Sequence, residues 1–335
     1  MQSSPTTYTK PVILLLFGSD SPEHDISLVS ARNVASVIDT ERYELLLGYV
    51  DRNRLWHKVD AVEADDTGKL MTLIDKHVVV EDAVIPVDVV LPIIHGVYGE
   101  DGIVQSALEK TRLPYLGSDA SASERAFDKV ELKVLLAENS ILTPNWELVT
   151  AETFPDSDLR RNPYVLKPVK GGSSIDTFIV HNPARETHDY TDVFARHGHM
   201  LLEELIIGQE ITVGVLGGTA LPVILIIPPD GEEFDFENKY NGRSQEIVAP
   251  DTLAAGVTQR AQALAAHIHK LSSLKHLSRI DMIVTPDHSI YTLECNTMPG
   301  MTAQSLLPKA AAAKGYDLPR LVEEMIGMVR HGVAV

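Results

Sequence analysis

Residues 279–302 read RIDMIVTPDHSIYTLECNTMPGMT. Residues 279–284 and 289–296 are apolar and β-branched, and a Pro286-Asp287 turn separates them, the pattern of two strands. Side chains alternate between the two faces of a strand. Arg279 and Asp281 therefore share one face, with Ile280 and Met282 on the other. Glu294 and Asn296 likewise share a face, with Leu293 and Cys295 behind them. If the strands pair as a hairpin, Asp281, Glu294 and Asn296 converge as oxygen ligands. A few protein oxygens completed by phosphates and water suit Mg²⁺. A solvent-exposed polar face would carry the same residues, and short patterns alone do not separate the two readings. Residues 297–302 (TMPGMT) then form an irregular turn after a polar strand end, a place where binding residues gather.

Strands and helices alternate through the rest of the chain. Residues 12–17 (VILLLF) are apolar throughout, as in a strand buried on both faces. A turn at 18–22 precedes a helix that starts near Asp25 or Ser27 and runs to about Ile38, with Val34, Val37 and Ile38 in its apolar stripe. Residues 43–50 (YELLLGYV) and 87–94 (VDVVLPII) are further strands. Strands separated by helices predict a parallel sheet with crossover connections. An extended segment at 113–118 leads to residues 121–139, patterned as one helix. Further strands are predicted at 164–167, 200–205, 210–216 and 221–227. A polar, aromatic loop at 234–242, a helix at 257–271 and a mostly helical tail at 303–335 follow. The 335 residues, 44% of them hydrophobic, suffice for two or three compact units.

The formal net charge is −18. That field repels a phosphate backbone, so no nucleic-acid partner is expected, and an anionic ligand must be met by a local cluster of Lys and Arg. No apolar run approaches the roughly 20 residues of a membrane span. The polar start at 1–10, with Pro5, reads as neither signal peptide nor anchor, so no membrane partner is expected. A single cysteine, Cys295, forbids an internal disulfide, in keeping with a reducing cytoplasm.

Four other loops follow strand ends. Residues 167–174 (KPVKGGSS) place a lysine at a strand end before a glycine- and serine-rich loop, whose backbone amides can cradle phosphate; G-x-x-x-x-G-K-[ST] is absent, and a mobile surface turn is the alternative. Residues 95–102 (HGVYGEDG) sit where ligands collect in an open α/β sheet, or form a turn with an incidental His95. Between the first strand and helix, Glu23 and Asp25 lie near a helix N-terminus, which favours carboxylates. Capping is the better reading for Asp25, whereas Glu23 is as well placed for a substrate ammonium. No G-x-G-x-x-G is present, which removes the main support for a dinucleotide-binding dehydrogenase. Lys239 and Tyr240, on a polar loop, could close over a nucleotide.

Together these segments resemble the D-alanine–D-alanine ligases of the ATP-grasp superfamily. SPEHDISL, HGVYGEDG, KPVKGGSS, LLEELIIGQEITV, FENKY, RIDM and LECNTMPGMTAQSLLP occur in the family's order and span residues from about 12 to 330. The resemblance implies an α/β, three-domain ATP-grasp fold: an N-terminal Rossmann-like domain (1–118), a central lid (119–203) and a C-terminal domain with the metal and substrate site (204–335). It implies ATP and two Mg²⁺ ions, with Mn²⁺ as an alternative, D-alanine as substrate, and a cytoplasmic homodimer. Lys129 and Lys167 would hold ATP phosphates under Ser173 and Ser174. Glu203, Leu205 and Ile206 would line the adenine slot, Glu210 would take the ribose and Lys239 the γ-phosphate. Asp281, Glu294 and Asn296 would bind the metal. Glu23 would hold the first ammonium, and Arg279 with the Gly300 amide would stabilise oxyanion charge. Ser305 and Leu306 would take the second carboxylate, and His95 would sit near the substrates. Glu23, Ser173 and Tyr240 would form a hydrogen-bonded set.

Some positions depart from the family's pattern. Asp176 stands where the family usually has Gly, Glu204 where some members have Lys, and Cys295 and Met298 replace other residues. A ligase using D-lactate or D-serine as second substrate, and a non-catalytic nucleotide-binding protein on the same scaffold, are the rival readings. The Lys239-Tyr240 pair resembles dipeptide-forming members, and the full set of charged positions argues against lost catalysis.

Overall fold

The computed structural model describes residues 10–63, 68–229 and 243–332. Among them are three sheets. The first runs β6-β5-β4-β3-β2-β1-β7, with β1 (Val12–Gly18), β2 (Glu44–Val50), β3 (Trp56–Val59), β4 (Lys69–Ile74), β5 (His77–Val80), β6 (Ala83–Pro86) and β7 (Val89–Pro92). β1 is buried along its whole length, as its sequence predicts. Ile13, Leu15 and Phe17 join the core under α1 (His24–Ala35), while Val12, Leu14 and Leu16 join that under α2 (Ile103–Lys110). Full burial of each such side chain contributes about 1.5–3 kcal/mol.

The parallel arrangement predicted from sequence holds for β2, β1 and β7. β3 to β6 extend the sheet antiparallel. These strands are four to six residues long, and left-handed Arg54, Lys76 and Glu81 serve the tight connections. Turns that short join only antiparallel neighbours.

The second sheet runs β10-β9-β11-β8 and is antiparallel throughout, with β8 (Trp146–Val149), β9 (Tyr164–Pro168), β10 (Phe178–Val180) and β11 (Met200–Glu204). The third runs β14-β13-β12-β15-β16, with β12 (Gln209–Leu216), β13 (Thr219–Ile227), β14 (Gln245–Val248), β15 (Leu277–Val284) and β16 (Ile290–Asn296). The remaining helices are α3 (Ala120–Phe127), α4 (Lys129–Glu138), α5 (Thr191–His197), α6 (Val257–Leu271), α7 (Leu306–Ala313) and α8 (Leu318–His331). Ala122, Ala126, Leu132 and Leu136 of α3 and α4 share the core of the third sheet with Ala261, Ala265 and Ile268 of α6. Leu307, Leu321 and Met325 of α7 and α8 share a core with the first sheet.

Two local features differ from the sequence reading and both shape the site. The single helix predicted at 121–139 is two. Asp128 leaves helical geometry (φ −80°, ψ 106°) and its carboxylate accepts from the Val130 and Glu131 amides, restarting the helix as an N-cap. Lys129 thereby becomes the first residue of α4. In the β15–β16 pair, Asp281 faces Glu294 but Met282 faces Thr292. The extra residue of this bulge turns Leu293 onto the cleft wall beside Glu294 rather than behind it.

Candidate active site

Two cavities meet in the middle of the molecule. One lies between the second and third sheets and is lined by Lys167, Ser174, Glu203, Leu205, Ile206, Glu210 and Asp281. The other lies between the third sheet and the loops of the first, and is lined by Glu23, His95, Ser173, Arg279, Asn296, Gly300, Ser305 and Leu306. Lys129, Gly171, Gly172 and Glu294 line both. The site residues predicted from sequence therefore fall on one or other wall, except Lys239 and Tyr240, which lie outside the described residues.

On the first wall, the Glu203 carboxylate sits between Lys133 Nζ at 2.6 Å and Lys167 Nζ at 2.9 Å. Burial works to raise the pKa of Glu203, but Lys167 and Lys133 outweigh it and hold it below the usual carboxylate range. Its carboxylate is thus committed to the two lysines. Lys133 has no role in the sequence reading. Its signal was its spacing, four residues after Lys129 and so on the same helix face. Glu204 accepts from the backbone and side-chain nitrogens of Asn145, both at 3.0 Å.

Between the cavities, Lys129 Nζ donates to Gly171 O at 2.7 Å and lies 3.8 Å from Glu294. Asp281 is a hub. Arg279 grips it through Nε (2.9 Å) and Nη2 (2.7 Å), Asn296 donates at 3.0 Å and Thr212 at 2.5 Å. Arg279 and Asp281 share a face as their spacing predicts, with Ile280 and Met282 in the core behind. The two acids and Asn296 are hard oxygen donors on neighbouring strands, which fits Mg²⁺ shared with phosphate.

On the second wall, the Ser173 hydroxyl donates to Glu23, 150 residues away in sequence. Glu23 precedes α1 without capping it, and Asp25 does not cap it either: its exposed carboxylate pairs with His24 Nδ1 at 2.9 Å, which corrects the capping expectation. Gly96 has φ +70°, and a Cβ there would come within 2.3 Å of Glu23 Oε2, so a larger residue would strain the backbone and displace the Glu23 carboxylate. Glu100, also without a role in the sequence reading, accepts from the amides of Gly96 (2.9 Å), Thr297 (3.0 Å) and Met298 (3.1 Å). Burial, aided by Glu23, pushes its carboxyl up to about 7.

His95 is buried and neutral. Met298 O lies 3.0 Å from its Nδ1, which must donate, so Nε2 accepts from Ser30 Oγ at 2.9 Å; Ser30 Oγ in turn accepts from the Met301 amide at 3.2 Å. This chain fixes the 298–301 turn that carries Gly300. Burial lowers the His95 pKa, outweighing Glu23.

Lys133→Ala leaves Glu203 short of a partner in a dry site and is expected to cost about 3–5 kcal/mol in urea unfolding. Because the folded pKa of His95 is depressed, its contribution is whole above about pH 6.5 and is lost as pH falls, when the unfolded chain takes up a proton. Between pH 6.5 and 5.5 the protein is expected to lose up to about 1 kcal/mol more stability than His95→Gln, read from the same unfolding curves.

Two family models match the chain: "D-ala D-ala ligase N-terminus" over residues 12–118 and "D-ala D-ala ligase C-terminus" over residues 135–327. The chain is 36% identical over 324 residues to a D-alanine–D-alanine ligase of Nitratidesulfovibrio vulgaris (strain DP4), covering 96% of this chain and 99% of that protein. It is similar in structure to D-alanyl-alanine synthetase A from Vibrio cholerae (27% identity, TM-score 0.83, 97% and 99% of the two chains). It is also similar to a D-alanine–D-alanine ligase from Bacillus anthracis complexed with ATP (28% identity, TM-score 0.74, 94% and 96%).

Proposed function

The chain belongs to the D-alanine–D-alanine ligase family, and from that membership we propose how its residues divide the work. The protein is an ATP-dependent ligase that joins two D-alanine molecules for peptidoglycan precursor synthesis. The observation that carries the assignment of roles is the shared wall: Lys129, Gly171, Gly172 and Glu294 border both cavities, so a phosphoryl group in the first can reach a carboxylate in the second.

ATP occupies the cavity between the second and third sheets, with Leu205 and Ile206 against the base, Glu210 at the ribose, and Lys129, Lys167 and Ser174 at the phosphates. Lys239 completes the phosphate contacts. Glu203 acts by aiming Lys167. Asp281, Glu294 and Asn296 hold Mg²⁺, two ions with Mn²⁺ as an alternative. Such ions neutralise the crowded phosphates and polarise the transferring group.

In the second cavity, Glu23 binds the ammonium of the first D-alanine, and its carboxylate attacks the γ-phosphate, giving an acyl phosphate and ADP. The amine of the second D-alanine, its carboxylate held by Ser305 and the Leu306 backbone, then attacks the activated carbonyl. Arg279 and the Gly300 amide receive the oxyanion, as preorganised donors do best in a site from which water is excluded. A Cβ on Gly300 would lie 2.5 Å from Ser305 Oγ, so a larger residue there would push that hydroxyl aside. Phosphate leaves as the amide forms. His95 positions the 298–301 turn, and the part of Tyr240 in the Glu23–Ser173 set is what the family resemblance implies.

Among the described residues no helix is long and apolar enough to cross a membrane; a cytoplasmic location is part of the proposal. So is a homodimer, which rests on the family resemblance. The three-domain division at 118 and 203 is carried forward in the same way.

The experiment is an ADP-release assay with Mg²⁺, ATP and D-alanine, in competition with D-lactate and D-serine, the products identified by mass. D-Alanyl-D-alanine is expected as the dominant product, with D-lactate inert as second substrate near neutral pH; a depsipeptide as the main product would sink the D-alanine assignment. Loss of a metal-holding acid removes several kcal/mol of charge stabilisation, so Asp281→Ala and Glu294→Ala are each expected to lower kcat by about 100-fold or more. Unchanged turnover in either would refute the metal assignment.

A further inference from the structure

The loop between the two cavities adopts a backbone that its residue types resist. Ser173, Ser174 and Asp176 all have left-handed φ angles, 52°, 57° and 54°, a region that residues with a Cβ keep only where their surroundings hold them. Its start is tied by Lys129 donating to Gly171 O, and its tip by Ser173 donating to Glu23. Its far end has a separate anchor. The Asp176 carboxylate accepts from Arg196 Nη2 at 2.7 Å through one oxygen, and its other oxygen lies 2.7 Å from His197 Nε2. Arg196 and His197 end α5, whose Val193 and Phe194 are packed into the core of the second sheet. The anchor is thus part of the lid, and its Arg is one of the strongest partners a carboxylate can have.

We propose that Asp176 is a positioning residue that clamps the 171–176 loop to α5 and so presets Ser173 and Ser174 toward their cavities. A glycine would reach the same φ without strain but would hold nothing; aspartate, which tolerates the left-handed region better than most residues, trades backbone freedom for an attachment. Ser174 lines the nucleotide cavity and Ser173 the substrate cavity, so a loosened end weakens the grip on nucleotide and lets water reach the activated intermediate. The inference rests on the ligase reading for its kinetic half and on geometry for its binding half.

The test uses the full-length protein and Asp176→Ala, Asp176→Gly, Asp176→Asn and Arg196→Ala. Two quantities are read: the Kd of a non-hydrolysable ATP analogue with Mg²⁺, by calorimetry, and the ratio of ADP released to dipeptide formed. Asp176→Ala, Asp176→Gly and Arg196→Ala are expected to weaken analogue binding by about twofold to fivefold and to raise the ratio above one, with the melting temperature held. Asp176→Asn, which keeps one acceptor, is expected to fall between them and the unaltered protein. If Asp176→Gly matches the unaltered protein, backbone freedom alone sets the loop and the proposal is overturned. Unchanged affinity and ratio in Arg196→Ala overturn it equally. Should the unaltered protein bind the analogue but form no dipeptide, the ligase reading falls, while the affinity comparison still decides the clamp.

Discussion

Buried negative charge is the constraint around which this site is built. An ionised carboxylate taken out of water is tolerated only with paired charges or hydrogen bonds. In a chain of net charge −18, acids nonetheless converge on the two cavities, and five of them show distinct solutions. Glu203 has two lysines, Asp281 has Arg279 with Thr212 and Asn296, and Glu294 has Lys129 nearby. Glu100 has three backbone amides, which only partly offset the burial that pushes its carboxyl up to about 7, and Glu23 has the Ser173 hydroxyl. The pairings tie elements that are far apart in sequence: Glu100 binds the 297–298 turn to the first sheet, and Glu23 binds that sheet to the loop over the cavities. Cations brought in to satisfy these acids are then in place for anionic phosphates.

Much of this was legible in the chain. The apolar run of β1, the alternation in β15 and β16, and the loops at strand ends could be read because burial and pleat leave a periodic trace in sequence. Most residues that line the two cavities could be singled out because they sit in compact motifs after strands. Lys133, Ser30 and Thr212 were not found. Each acts through a partner remote in sequence, and, the spacing of Lys133 from Lys129 apart, a lysine or hydroxyl in the middle of a helix or strand looks like any surface residue until its partner is known.

Other features were illegible for different reasons. The break at Asp128 depends on one carboxylate capping a helix inside a continuous helical pattern, where propensity alone favours continuity. The bulge at Leu293 is a register property of two strands together, and no single strand carries its signature. The antiparallel extension by β3 to β6 comes from short, half-exposed strands whose alternation is too brief to stand out. Asp176 was visible as a departure, but its partners Arg196 and His197 lie about 20 residues on and only the fold brings them to it.

The shared wall lets the substrate carboxylate itself attack ATP, and the proposed division of the two cavities depends on that attack. The most direct measurement is the fate of its oxygen, with D-alanine labelled with ¹⁸O in the carboxylate, ATP and Mg²⁺, and the released phosphate analysed by mass. The account requires one ¹⁸O per phosphate, carried over when the acyl phosphate is cleaved by the second amine. Unlabelled phosphate accompanying dipeptide formation would mean that no acyl phosphate forms, and would contradict the division of the two cavities described above.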